Sequence, residues 1–538
     1  MAANNTDVSS KRQERLVRFL QSPSSYPHHP VEVRVIQTHI SWVFVASPFV
    51  FKVKKPVNLG FLDFSTLEKR RYFCQREVAL NRRLCPETYL GVVPIYKTTR
   101  GFSFDAEGQI AEYAVKMREL PHDWFLSQLL AKGLVGKREI NRVTSTLHRF
   151  YQSETPTPEI EQWGAPEKLK ITTDENFAQM EPFLGKTISP AAFEAIRRFT
   201  NEFYTANEGL FFERIRHHRI LDCHGDLHLD HIHLTPEATT IFDCIEFNDR
   251  FRFIDIANEL AFLAMDFDFE RRRDLADLLL KTAAREFRDD CLLKIADFYK
   301  CYRAFVRGKV ESIQSIEPET VEPQVHAKHA ARYFRLALRY AVAGSEPLML
   351  VVMGRVGTGK TTVAKQLASE LDWPLFSSDQ IRKTLAAVPL IVRTPPELRD
   401  KVYSNQMTQQ TYEKLVEEGL AALAVHSGVV LDATFSSRRR RDCLRDKCIR
   451  AGIRLQVIEL EADRNAIATR LKERDENAVE LSDARLEDLE KLSAAYEPPN
   501  ELPTLIRVSS SGGIANTVSA VLFHLADKQS SRRNGCAS

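Results

Sequence analysis

The feature that most constrains this chain is the octapeptide Gly354-Arg355-Val356-Gly357-Thr358-Gly359-Lys360-Thr361. It follows the apolar run LMLVVM (348–353) and leads directly into a helical pattern. Gly-x4-Gly-Lys-Thr between a buried strand and a helix turns backbone N–H groups toward an anion, at the end of the helix where the dipole favours negative charge. Residues 354–361, with Thr362 on the same turn, are therefore candidate nucleotide-binding residues. Lys360 is placed to reach the β- and γ-phosphates, and the Thr361 hydroxyl to hold Mg²⁺. The implied cofactors are ATP (or GTP) and Mg²⁺.

The flanking sequence fits that motif. Strand patterns at 348–353, 374–376, 429–432 and 454–460 alternate with helical patterns at 360–371, 379–387, 396–427, 438–451 and 464–474. Such alternation predicts an α/β domain with a parallel sheet covered by helices on both faces. The breakers Gly344, Ser345 and Pro347 place its start near 345. The expected division is 1–344, 345–528 and a disordered tail at 529–538.

Three further features of this half bear on chemistry. Asp432 ends the apolar strand VVL (429–431) and is expected to bind the magnesium shell or activate water. Asp379, in SSDQIRK just after the second strand, is a candidate base for an acceptor hydroxyl, with Arg382 one turn on to grip acceptor or phosphate. Arg470 and Arg474, spaced i,i+4, are candidate lid arginines that neutralise charge on a transferring phosphoryl group. The run Arg438–Arg441 reads either as an anion site or as a solvated helix start.

These segments resemble the small P-loop kinases grouped with gluconate kinase, zeta-toxin-like kinases and polynucleotide 5′-kinases. The resemblance rests on GRVGTGKT, SSDQIRK, VVLDATF and RLKER, and covers about 347–520. In that group the acid matching Asp379 contacts the acceptor hydroxyl. The acceptor varies widely, so the resemblance implies a reaction class and no substrate.

The first half carries strand patterns over Val31–Val53, a helical pattern over Leu67–Leu84, more strands to Met117, and then mostly helix. Within it lies HGDLHLDH (224–231), and Ile241-Phe242-Asp243 ends the next strand. Two acids on adjacent strands suit phosphoryl transfer, with Asp226 orienting a hydroxyl and Asp243 binding magnesium. This half resembles the aminoglycoside phosphotransferase and choline kinase superfamily, which implies an α+β, protein-kinase-like fold. Lys52 in FVFKVKK matches that superfamily's phosphate-binding lysine, and Glu77 in CQREVALNRRL its paired glutamate. The pattern departs at one position: His231 stands where the superfamily has a metal-binding asparagine. Asp230 beside it offers an oxygen instead. The histidines of this loop do not complete a recognisable zinc set. The order of the two modules resembles bacterial proteins in which the same two domains are fused.

Composition narrows the classes. The net charge of +3 gives no overall drive toward nucleic acid or membrane. Nine scattered cysteines without a CxxC pair suggest reduced thiols. No stretch reaches the roughly 18–20 apolar residues needed to span a bilayer. The N-terminal residues lack the apolar core of a signal peptide, and a cytoplasmic protein is expected. The sequence thus predicts an ATP-dependent phosphotransferase acting on a hydroxyl-bearing small molecule. The rivals are a nucleotide-sensing ATPase switch with a degenerate first lobe, and a polynucleotide 5′-kinase.

Overall fold

A computed structural model describes residues 2–532 except 100, 106, 318–319, 391–392, 477–482, 484 and 503; the side chains of 2–11 and 474–476 also fall outside the description. The chain divides into two compact units: residues 1–170 with 209–296, and residues 171–208 with 297–538. This differs from the single boundary expected near 345.

In unit 1 a six-stranded antiparallel sheet is built from β1 (Arg34–Gln37), β2 (Ser41–Ala46), β3 (Phe49–Lys54), β4 (Tyr89–Thr98), β5 (Gly101–Ser103) and β6 (Ile110–Arg118). The strand order is β1-β2-β3-β6-β4-β5. The helix Leu67–Asn81 lies between β3 and β4 in sequence and is capped by Thr66, whose side chain accepts from the Lys69 N–H. One face of the sheet buries Phe44, Phe51, Val53 and Ile95 with Leu16 and Leu20 of the helix Ala2–Gln21. Short strands follow: β7 (Ile220–Asp222), β8 (Ile232–Leu234), β9 (Thr239–Ile241) and β10 (Phe253–Asp255), with β8 pairing β9 and β10 pairing β7. The helix Ile256–Phe269 is buried along almost its whole length, which its run of apolar residues dictates. Arg214 is buried there between Asp255 (2.6 Å) and Asp289 (2.5 Å).

Unit 2 holds a five-stranded, wholly parallel sheet of β11 (Leu348–Gly354), β12 (Leu375–Ser377), β13 (Gly428–Asp432), β14 (Arg454–Glu461) and β15 (Ile506–Ser509), in the order β12-β13-β11-β14-β15. Strand β11 is central and buried at every position, as its uninterrupted apolar run predicts. The expected helix over 396–427 is two helices, Pro396–Val402 and Asn405–Ala422, the second capped by Ser404.

The boundary moves because helices N-terminal to 345 pack on this unit. Arg198, in the helix Pro190–Ala206, pairs with Asp527, and Asn207 donates to the Ser530 carbonyl at 2.8 Å. Asp297 accepts from the Ser345 N–H at 3.1 Å. Both partners of the first helix lie on Ile514–Ser530, so the tail expected from 529 begins inside a helix, with Gln529 and Ser530 buried. Residues 533–538 lie outside the described part. Among the described residues no helix is long and apolar enough to cross a membrane.

Candidate functional site

The loop after β11 has the geometry its glycines require. At Gly354 (φ +144°) a Cβ would lie 2.5 Å from the Leu460 carbonyl oxygen of β14, so no side chain fits. Gly357 and Gly359 also lie in the left-handed region, and Gly359 immediately precedes the helix Lys360–Leu371. The Thr358 hydroxyl and the Lys360 ammonium both donate to the Arg355 carbonyl, each at 2.8 Å. Arg355 reaches the Ser493 carbonyl at 2.9 Å and stacks over Tyr496. Val356 is half-buried and Thr362 exposed.

Asp432, at the carboxyl end of β13, is the centre of this site. Its Oδ2 accepts from the Thr361 hydroxyl at 2.8 Å and from the Ser377 hydroxyl at 3.1 Å. Burial pushes its carboxyl pKa up; Lys360 and the two hydroxyls pull against that, while Asp379 adds to it. Asp379 therefore lies within electrostatic reach of Asp432. A hydroxyl beside a carboxylate is a hard oxygen set that fits Mg²⁺, and Thr361 with Asp432 would hold it.

Arg470 is also near. A Cβ on Gly359 would lie 3.6 Å from its guanidinium, which donates to the Ser510 carbonyl at 2.6 Å and its hydroxyl at 3.0 Å. The Arg474 side chain lies outside the described residues. Arg382 does not extend toward a ligand. It is buried, donates to the Val402 carbonyl at 3.1 Å and the Thr408 hydroxyl at 3.0 Å, and stacks over Tyr403. Arg382 thus braces the helices around the site through Nη1, while its buried Nε has no hydrogen-bond partner. The four-arginine run is a helix start: Arg441 is buried against Glu501 at 2.5 Å, and Arg440 packs over Tyr412. The sequence reading missed Ser377 and the cluster in which Asp483 accepts from Tyr403 (2.8 Å) and pairs with Lys383 (3.5 Å).

In unit 1 the expected residues also meet. Lys52 of β3 lies 3.0 Å from Glu77 and 2.5 Å from Asp243. Burial alone would lower the Lys52 pKa, but Asp243, Glu77 and Glu246 outweigh it and hold the ammonium well above its ordinary value. Lys54, unassigned from sequence, is buried against Glu77 (2.6 Å) and Glu246. The signal was present: i and i+2 on a strand share a face, so FVFKVK puts both lysines on one side. Asp243 adopts φ 64°, an unusual backbone for a residue with a side chain. Its carboxyl is raised by desolvation, yet Lys52 and His231 draw it below the usual carboxylate range.

The 224–231 loop is braced from beneath. Glu259 accepts the backbone N–H of His224 (3.1 Å) and Gly225 (2.6 Å) while Tyr151 donates to it at 2.9 Å. Gly225 has φ +89°, and a Cβ there would lie 2.8 Å from the Phe251 carbonyl oxygen. His224 is fully buried and bonds the Phe242 carbonyl at 2.7 Å; burial, then the neighbouring His231, lowers its pKa to about 4. It is a neutral brace. His231 points both ways, Nδ1 at 3.6 Å from Asp226 Oδ2 and Nε2 at 3.7 Å from Asp243 Oδ2. Asp230, the alternative oxygen donor, is exposed.

Residues 349–499 match the family model of the AAA domain, which agrees with the P-loop and parallel sheet. The chain is also 32% identical over 421 residues to uncharacterized protein Rv2004c of Mycobacterium tuberculosis, a match spanning 78% of this chain and 82% of that one. The chain belongs to that protein's family. A second member, Mb2027c of Mycobacterium bovis, matches to the same extent. The 421 matched residues exceed either unit alone, so the shared mycobacterial family extends beyond the AAA domain. Among solved structures, a gluconokinase from Sinorhizobium meliloti is similar at 22% identity over 34% of this chain and 92% of that one, with a TM-score of 0.26. A sugar kinase from Janibacter is similar at 18% identity over 35% and 99%, again with 0.26. At that level the likeness bears on neither substrate nor mechanism.

Proposed function

We propose that this protein is an ATP-dependent phosphotransferase whose unit 2 moves a phosphoryl group to a hydroxyl-bearing small molecule. The observation that carries the reading is the cluster at the carboxyl ends of β11, β12 and β13: Lys360 and Thr361 on the P-loop, Ser377 and Thr361 bonded to Asp432, and Asp379 beside them. A nucleotide phosphate and an acceptor would meet at this edge of a parallel sheet.

Lys360 exchanges the Arg355 carbonyl for a phosphate oxygen. Thr361 and Asp432 would hold magnesium, which when bound would supply charge neutralisation on the phosphates. Asp379 takes the acceptor hydroxyl proton as that oxygen bonds to the γ-phosphorus and the bond to the bridging β-oxygen breaks. Arg470, close to Gly359, adds positive charge at the transferring group, and Arg474 is proposed to act with it. Arg382 serves as a positioning residue.

Unit 1 supports a second phosphate-binding lobe of the aminoglycoside phosphotransferase type, through Lys52–Glu77 on sheet and helix and Asp226 and Asp243 on the loops. One observation favours the alternative that it senses nucleotide without turnover: Asp243 is already paired to Lys52. The reading is tested with γ-labelled ATP and a panel of sugars, aminoglycosides, nucleosides and oligonucleotides, comparing wild type, Lys360→Ala and Asp226→Ala. Labelled product lost only in Lys360→Ala is the expected result. Loss only in Asp226→Ala moves catalysis to unit 1. Nucleotide binding with no labelled acceptor sinks the transferase reading and favours the switch. Label on oligonucleotide ends, with salt-sensitive binding, identifies a polynucleotide kinase.

A further inference from the structure

The donor set at the mouth of the 224–231 loop does not suit magnesium. Asp226, His228 and His231 place one ligand atom each within 4.8 Å of one another, and the Asp243 carboxylate faces His231 at 3.7 Å. Mg²⁺ demands oxygen and keeps its waters, whereas imidazole with carboxylate is the donor chemistry of divalent first-row transition metals.

The hydrogen bonds set the ligand orientation. His231 Nδ1 lies 2.8 Å from the Asp226 backbone carbonyl, which only accepts, so Nδ1 carries the hydrogen. That leaves Nε2 as the ring atom facing Asp243 Oδ2. A donated Nδ1–H to a carbonyl is the arrangement that fixes the tautomer of metal-bound histidines. Lys52 sits on the other oxygen of Asp243, Oδ1, so a cation at Oδ2 need not displace it. The left-handed backbone at Asp243 holds this carboxylate in place. His228 Nδ1 accepts from the Asp230 N–H at 3.3 Å, so its Nε2, 3.7 Å from Asp226, carries hydrogen until an ion displaces it. His231 is thus the decisive ligand.

We propose that unit 1 binds a divalent transition-metal ion through His231 Nε2 and the Asp243 carboxylate, with Asp226 and His228 beside them, in preference to Mg²⁺. No residue of unit 2 takes part, so the proposal stands or falls separately from the P-loop reading.

The test uses the full chain, chelator-stripped and free of nucleotide, titrated with Co²⁺ and followed by visible absorption and calorimetry. Ligand-field bands should appear at stoichiometric Co²⁺ and be displaced by Zn²⁺ but not by equal Mg²⁺. His231→Asn should weaken Co²⁺ binding at least tenfold, the lower end of what outer-shell changes alone cost. A proton spectrum of wild type with Co²⁺ should show a shifted, exchange-protected imidazole N–H, which keeps the test valid if the variant misfolds. Binding unchanged in His231→Asn, equal competition by Mg²⁺, no shifted N–H, or a signal abolished by Asp432→Asn instead would each overturn the proposal.

Discussion

Each unit holds a lysine that the proposed function assigns to a phosphate, and the two lysines are kept in different ways. Lys360 donates to a neutral backbone carbonyl at 2.8 Å, while the nearby carboxylate, Asp432, is bonded by hydroxyls. Lys52 is clamped between Glu77 and Asp243, and a second lysine, Lys54, is locked to Glu77 and Glu246. A phosphate arriving at Lys360 replaces the Arg355 carbonyl with Asp432 in electrostatic reach; one arriving at Lys52 competes with direct ion pairs in a desolvated setting. The lesson is that a shared residue type at a phosphate site says less about readiness than the partner it already has.

The sharpest way to break this comparison is Lys360→Ala. It should lower phosphoryl transfer by about 10²–10³-fold or more, the cost of removing one transition-state donor, while Lys52→Ala leaves that transfer nearly intact. Equal losses in a γ-labelled ATP assay would show that the two lysines serve one reaction. Next in size, Glu77→Ala should destabilise unit 1 by about 3–5 kcal/mol, because it leaves two buried lysines short of a shared carboxylate. Hydrogen exchange should report faster opening in β3 and the helix Leu67–Asn81, with protection of β11 unchanged. Arg382→Ala should cost about 1–3 kcal/mol through the lost bonds to Val402 and Thr408, with KM for acceptor little altered. A raised KM at unchanged melting temperature would restore the direct acceptor role that the sequence suggests.

The smallest effect concerns Asp432. Its folded pKa lies above its unfolded value, so the folded state binds the extra proton and stability falls as pH rises through the raised pKa. At neutral pH the nucleotide-free protein therefore carries a cost that Asp432→Asn removes. The variant should melt slightly higher, lose that slope above the ordinary carboxylate range, and lose transfer activity. A lower melting temperature across the whole pH range would refute the assignment.

Much of unit 2 was legible because its signals are local. A glycine loop, an apolar strand and a terminal Asp sit within a few residues of one another, and period and spacing expose them. Strand β15 and the helix Leu489–Ala494 escaped because each is short and only their neighbours make them regular. Asp379 and Arg382 look equivalent in SSDQIRK, yet one lies near Asp432 and the other is buried with Nη1 bonded to Val402 and Thr408; only tertiary packing separates them. In unit 1 the four charged residues Lys52, Lys54, Glu77 and Glu246 form one network across almost 200 positions, with 192 between Lys54 and Glu246. No window along the chain contains that network. The helices before 345 that pack within unit 2 are hidden for the same reason, since Gly344 and Pro347 end a helix without ending that unit.

That displaced boundary bears on how the protein is made. Arg198 lies 329 positions before Asp527, its partner in the same unit. During synthesis the helix Pro190–Ala206 can first bury Phe193 against Phe177 and Phe305 and Phe203 against Phe298, but its cover is complete only once Ile514–Ser530 has been made. Deleting Ile514–Ser530 would therefore strip one side of a helix translated long before it.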